Sequence, residues 1–374
     1  MTGAVQAPDG PTVEHLAASA YRIPTDLPGG DATLTWDSTT LVLVEAVAAG
    51  QRGIGWTYGS PATVAVVEDE LAKIVVGRDP FDVPAVNDAL SRAVRNIGRP
   101  GVVAGAISAV DLALWDLKAR LLDLPLVRLL GAARNEVAVY GSGGLTTYDE
   151  ARLEQQLRGW AEQGISRMKI KIGESWGREE RRDLRRARLA RRTVGDHAEL
   201  YTDANGGYTR KQAIRVAAAM ADLGVTWLEE PVSSDDLTGL RLVRDRVAAD
   251  VAAGEYGYDL TYFARMAASG AVDCLQADVT RCGGITVWLR AAAVAEAHGL
   301  HISGHCAPHM HAHVAAAVPN VRHLEWFHDH VRIENMFFRG VLDPHGGTVT
   351  PGSSGAPGHG LELDRAVAQP FRTG

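Results

Sequence analysis

The apolar and polar positions of this chain follow two rhythms, and the change falls near Glu136. Ahead of it, "HLAASAYRIP", "TTLVLVEAVA" and "RGIGWTYG" carry the pattern of strands in a small antiparallel sheet, with "AAGQRG" as the turn between the last two. Residues 61–131 change to helical spacing, clearest in "VAGAISAVDLALWDLKARLL", and Gly131 closes the region. An α+β domain is predicted over residues 1–132. From Glu136 short apolar runs alternate with helical stretches: "EVAVYGSGG", "SRMKIKIG", "AELYTDANGG", "VTWLEEPV", "DVAAGEYG", "DCLQADVTRCGG", "HISGHC" and "RHLEWF". Eight strands separated by helices predict a parallel sheet that closes into an α/β barrel, over residues 133–345. The Gly/Pro-rich "GGTVTPGSSGAPGHGLELD" opens a last segment, 346–374, expected to return over the first domain.

Composition narrows the class. A chain of 374 residues exceeds one usual domain, and 46% apolar residues describe an ordinary globular core. A net charge of −7 argues against a nucleic-acid partner, and no apolar run reaches the length of a membrane span. The opening "MTGAVQAPDGPT" lacks the basic flank and apolar stretch of a secretory leader. Three cysteines form no CxxC pair, so the expected compartment is the cytoplasm. The most basic stretch, "REERRDLRRARLARR", spaces Leu184, Ala187 and Ala190 on one helix face and interleaves acids; it reads as a solvated, salt-bridged face.

Candidate chemistry sits where the barrel strands end, the face on which such barrels build active sites. Asp203, Glu229 and Glu255 close three successive runs, 26 residues apart each time, which predicts three carboxylates at one height. Acids so gathered repel one another, and a divalent cation relieves them; all-oxygen ligands suit Mg2+. Lys169 and Lys171, two of only five lysines against 33 arginines, end the preceding run on one side of the strand. Unlike arginine, lysine can be made to give up its proton, so beside a dication and each other at least one of the pair is expected to have a lowered pKa and act as a base. Asp278 and His305 end the sixth and seventh runs as an acid–imidazole pair, and Glu325 ends the eighth. His309, His311 and His313 are spaced too loosely for a metal site.

Taken together, the "KIKIG", "DAN", "EEP" and "GE" motifs, with Asp278 and His305 on strands six and seven, resemble the mandelate racemase group of the enolase superfamily. The resemblance covers nearly the whole chain. It implies a modified TIM barrel, (β/α)7β, with an N-terminal α+β capping domain completed by the C-terminal segment. It implies Mg2+ on Asp203, Glu229 and Glu255, with Glu229 rather than Glu230 as the ligand of that pair. Lys171 matches the base on one substrate face and Lys169 the companion that lowers its pKa; His305, held by Asp278, matches the acid/base on the other. Glu325 matches the acid that bonds the substrate carboxylate, and Asn205 a polar neighbour. Two departures exclude subgroups: a muconate-lactonizing pattern has lysine where Asp278 stands, and a glucarate-dehydratase pattern has asparagine where Glu255 stands. The capping loops over residues 21–31 and 53–63 are expected to cover the mouth. They are polar, and with Arg281 they offer Arg22 and Tyr58 as substrate contacts.

The implied reaction removes the proton α to a carboxylate. A polar cap favours dehydration of an acid sugar (an aldonate or aldarate) to a 2-keto-3-deoxy acid. Racemisation or epimerisation of a 2-hydroxy acid and cycloisomerisation of a sugar lactone are the alternatives. A Schiff-base aldolase would need a barrel lysine but no acid triad, and a binding protein would need no bases. A small carboxylate partner, no nucleic acid, no membrane and a homo-oligomeric state complete the expectations.

Overall fold

A computed structural model describes residues 10–373; the first nine residues of "MTGAVQAPDGPT" lie outside it. Three antiparallel strands, β1 (His15–Gly30), β2 (Thr35–Ala48) and β3 (Gln51–Tyr58), form the predicted sheet. Alternation along β2 separates two contacts: Val44 and Ala46 face the long helix Val102–Leu121, whereas Leu41 and Leu43 join the core shared with the barrel. That helix comes so close to β3 that a Cβ on Gly53 would lie 2.2 Å from the Ala113 carbonyl oxygen, and one on Gly55 2.4 Å from that of Ala109. Glycine is required at both positions by contact with backbone.

All eight predicted barrel strands are present: β4 (Val137–Gly143), β5 (Arg167–Lys171), β6 (Glu199–Asp203), β7 (Val225–Glu229), β8 (Asp250–Ala253), β9 (Cys274–Ala277), β10 (His301–Gly304) and β11 (Val321–Phe327). They pair in parallel in chain order, and β11 returns to β4, closing the ring. Seven connections between them each carry a helix. This is the modified barrel capped by an α+β domain. Past β11 the chain continues as helix His328–Phe337. Thr348–Val349 then runs antiparallel to β4, and Arg372–Thr373 adds a last edge strand to β1 of the cap.

Both capping segments reach the mouth. The Thr146 N–H donates to the Gly30 carbonyl (2.8 Å) and its hydroxyl to that of Asp31 (2.7 Å), while the Trp176 N–H donates to Ala32 (2.9 Å). On the far side the Thr57 hydroxyl donates to the Thr280 carbonyl at 2.7 Å, and Ser108 Oγ accepts from Gly283 N–H at 2.8 Å. The end of β1 and the turn after it thus grip the segments after β4 and β5, while β3 and the long helix grip the segment after β9; residues 21–30 and 53–58, expected as loops, are strand.

The basic helix, Glu180–Val194, differs in part from its reading. Ala187 and Ala190 are buried as expected, but so is Arg186, which donates to the carbonyls of Gly144, Leu145 and Tyr148. Its charge fixes the loop after β4 instead of meeting solvent, giving a second donor to the Gly144 and Leu145 carbonyls, which also accept from the Lys171 and Tyr148 N–H groups. Among the described residues no helix is long and apolar enough to cross a membrane.

Candidate active site

Strand register assembles the acids. Lys171 pairs with Asp203 across β5–β6, and Asp203 with Glu229 across β6–β7, so three consecutive strand ends lie in line. Glu255 departs from the predicted equal height: β8 stops at Ala253, and Glu255 lies beyond it. Gly254 makes the turn at φ 137°, where a Cβ would sit 2.2 Å from the Gln276 carbonyl oxygen. The turn still succeeds in gathering the set, since one oxygen each of Asp203, Glu229 and Glu255 lies within 4.8 Å of the others. Glu255 Oε2 is buried without a hydrogen-bond donor, as are Asn205 Oδ1 and Glu230 Oε1. Buried carboxylate oxygens left without donors suit a hard dication, so the donor set fits Mg2+.

The lysines lie against the acids. Lys171 pairs with Asp203, and Lys169 with Glu229, with Glu325 at 2.8 Å and with Asp203 at 3.4 Å. Burial alone would lower both lysine pKa values, but the surrounding carboxylates outweigh it and raise both. Both ammoniums thus serve as counter-ions of the metal-free acid cluster; the lowered pKa is the expectation for lysines beside a dication as well as beside each other. Burial likewise pushes Asp203 up, yet Lys171 and Lys169 hold it down at about 2. Glu229 is raised well above the carboxylate range by burial and by Asp203 beside it.

His305 and Asp278 form the predicted pair, Nδ1 to Oδ2 at 2.8 Å. His305 Nε2 lies 3.3 Å from Glu255 Oε2 and 3.7 Å from Glu325 Oε2. Burial raises the Asp278 carboxyl, but His305 and Arg281 pull it well below its ordinary range. Glu325 is held ionised against burial chiefly by Lys169; it also accepts from the Ser142 hydroxyl (2.6 Å) and the Cys306 N–H (3.0 Å). Bonding a substrate carboxylate would require it to take a proton first. Backbone strain gathers here: Asn205, Glu230, Cys306 and Ala307 follow their strands with positive φ, a conformation non-glycine residues adopt at a cost.

The proposed substrate contacts divide. Arg281 lies 3.5 Å from both Glu255 and Asp278 and under the Tyr256 ring. Tyr58 stacks on His330 and donates to Glu334 at 2.9 Å. Tyr58, Tyr256, Tyr258 and Arg281 line one cavity of about 290 Å³. The Asn205 N–H donates to Asp203 at 2.9 Å. Arg22 is not brought in: strand alternation buries Tyr21 and Ile23 and leaves Arg22 exposed opposite Thr40. Sequence reasoning missed the supports of the acids. Trp227 Nε1 and Gln276 Nε2 both donate to Glu229 Oε2 (2.9 and 3.2 Å), and Ser142 holds Glu325. Their signal was available, since each lies two residues from a named site residue on the same side of its strand or on the neighbouring strand's inner face. The histidines of "HMHAH" serve separately: His309 accepts from Leu342 N–H, His311 from Val279 N–H, and His313 meets the His359 carbonyl.

Comparison with known proteins agrees with this geometry. Residues 18–131 match the mandelate racemase/muconate lactonizing enzyme N-terminal domain, and residues 152–367 the enolase C-terminal domain-like family. A crystal structure of a mandelate racemase/muconate lactonizing enzyme-like protein from Rubrobacter xylanophilus superposes with a TM-score of 0.93 at 51% identity, over 97% of this chain and 100% of that one. L-talarate/galactarate dehydratase of Salmonella typhimurium is 32% identical over 86% of this chain and 83% of its own. Its crystal structure liganded with Mg and L-lyxarohydroxamate superposes with a TM-score of 0.89 at 28% identity, over 100% of this chain and 96% of that one. The 3,6-anhydro-alpha-L-galactonate cycloisomerase of Streptomyces coelicolor is 31% identical over 94% of this chain and 97% of its own. The chain belongs to the mandelate racemase/muconate lactonizing enzyme family of the enolase superfamily.

Proposed function

We propose that this protein is a Mg2+-dependent acid-sugar dehydratase that converts an aldonate or aldarate to its 2-keto-3-deoxy acid. The carrying observation is the order of groups around the closed ring. Between Lys171 on β5 and His305 after β10 stand the three metal-candidate acids one way, and Ser142 and Glu325 the other. A carboxylate seated among them meets a proton-transfer group from each wall. Asp203, Glu229 and Glu255 would hold Mg2+, which supplies positive charge to a bound carboxylate and so acidifies the neighbouring C–H. Lys171, able to shed its own proton once a cation replaces its ammonium as the counter-charge of Asp203, would take the α-proton. His305, its Nδ1 fixed by Asp278, would protonate the departing 3-hydroxyl from Nε2, and water leaves. Lys169 would keep positive charge beside Glu325 while the substrate carboxylate gains electron density. The Salmonella relative, named a dehydratase and crystallised with Mg, supports this reading. The Streptomyces relative shows why cycloisomerisation is the alternative on a similar scaffold.

The test is a screen of aldonates and aldarates with Mg2+, reading 2-keto acid. Dehydration predicts keto acid that disappears in Lys171→Ala. Inverted substrate carrying solvent deuterium at Cα, without keto acid, would instead make the protein a racemase, and a ring-opened product a cycloisomerase. We further propose a cytoplasmic enzyme that self-associates. Three buried free thiols support the location. The exposed Leu34 and Trp176 (65% and 63%) beside the cap–barrel contact support the assembly, and light scattering on Trp176→Asp tests it.

A further inference from the structure

The thiol of Cys306 has no part in the reaction above, yet it is buried among groups that do. Its Sγ lies 3.3 Å from His305 Nε2 and 3.5 Å from Glu325 Oε2, and those two atoms are 3.7 Å apart. A tetrahedral Zn2+ with Zn–S of about 2.3 Å and Zn–N and Zn–O of about 2.0–2.1 Å spaces its ligand atoms roughly 3.4–3.6 Å apart. The triangle therefore already has the edges of a zinc face. We propose that His305, Cys306 and Glu325 form a second, thiophilic cation site, distinct from the all-carboxylate set, whose occupation by Zn2+ arrests the enzyme.

Three further features favour this. Asp278 engages His305 Nδ1 at 2.8 Å, the carboxylate–histidine arrangement that supports metal-bound imidazoles, and leaves Nε2 3.3 Å from the thiol and 3.3 Å from Glu255 Oε2. Lys169 and Ser142 occupy Glu325 Oε1, while Oε2 accepts from the Cys306 N–H at 3.0 Å and lies 3.5 Å from its thiol. Cys306 and Ala307 both hold positive φ (52° and 37°), a strained turn that aims the thiol at the two other ligands. Thiolate and imidazole select zinc or cobalt, whereas three carboxylates suit magnesium, so the two sites need not compete for the same ion. Binding replaces the S–H bond by an S–metal bond and releases that proton to solvent. It also occupies the Nε2 lone pair, so His305 can neither give nor take a proton. The inhibitory half of the proposal rests on the dehydratase reading; the binding half does not.

Co2+ titrated into the Mg2+-saturated full chain reads the binding half without any substrate. One equivalent should produce a thiolate-to-cobalt charge-transfer band in the near ultraviolet, absent in Cys306→Ser and retained in Cys274→Ser. A wild-type spectrum without that band, or an unchanged band in Cys306→Ser, overturns the site. The inhibitory half is read as the ratio of turnover with and without Zn2+ in excess Mg2+. Cys306→Ser should raise the half-inhibiting Zn2+ concentration by at least about tenfold, the lower range for disturbing a metal's support. Equal inhibition of both proteins would mean that zinc acts at the carboxylate triad, and overturns this half. If no acid sugar turns over, the dehydratase reading fails, and the cobalt band still decides whether the site exists.

Discussion

Two tiers of side chains fill the same barrel, one step apart along the same strands. The lower tier is Tyr140, Tyr201, Trp227, Cys274 and His323; two residues further on stand Ser142, Asp203, Glu229, Gln276 and Glu325. Strand side chains repeat every second residue, so the tiers are separated by only about 6.6 Å. Both are buried. In the lower one, aromatic rings meet edge to face, Tyr140 with Tyr201 at 5.5 Å and Trp227 with His323 at 5.0 Å. In the upper one, carboxylates meet ammoniums. His323 and His305 make the contrast sharpest. Burial, then Arg322 and Arg167, push His323 far below the usual histidine range, so it is a neutral member of the packing. His305 instead has a carboxylate on one nitrogen and the mouth's reactive groups on the other. Burial alone does not set the charge state of a side chain; its charged neighbours do.

The comparison breaks if an upper-tier change costs folding and a lower-tier change costs chemistry. Lys171→Ala should lower kcat by about 10²–10⁴-fold with Mg2+ saturating while the melting temperature barely moves. Tyr201→Ala should do the reverse, costing about 3–5 kcal/mol of stability by denaturant titration and leaving KM near wild type. Trp227 belongs to both tiers through its bond to Glu229. Trp227→Phe keeps the packing and should weaken Mg2+ by about 10–100-fold in calorimetric titration, with little change in melting.

Acid should separate the tiers as well. A histidine with a depressed folded pKa leaves the unfolded chain to bind the proton first, so its stabilisation is present above pH 6.5 and is lost as pH falls below it. Asp203, depressed from 3.8 to about 2, contributes stability above pH 3.8 that is lost as pH falls through about 2. For the metal-free protein, His323→Phe should reduce the slope of stability against pH below 6.5 by one proton, about 1.4 kcal/mol per pH unit. Asp203→Asn should leave that limb unchanged and alter only the limb below pH 4. The smallest effect expected is at the cap. Thr57→Val removes one hydrogen bond to Thr280 and leaves a buried carbonyl without that donor, about 1–3 kcal/mol by chemical denaturation.

What the sequence determined by itself was everything that depends on short-range periodicity. Eight apolar runs of strand length, each ending in polar residues, specified the barrel and its reactive face, because alternation and connection length leave few other ways to bury them. The 26-residue spacing of Asp203, Glu229 and Glu255 followed from the same repeat. The tertiary structure decided what joins distant residues. Ser142 meets Glu325 across 183 positions and Gln276 meets Glu229 across 47, contacts that exist only once the ring closes. Closure also fixed the neighbours of the lysines: the sequence put them next to the Asp203 strand, and in the closed ring Lys169 touches three carboxylates and Lys171 one. Arg22 is exposed because the pleat alternates, and Glu255 reaches its partners because Gly254 can adopt a turn closed to other residues. Local pattern assigns each residue to an element and a side; the electrostatic state of a buried group depends on every charge around it, and those neighbours are supplied by the fold.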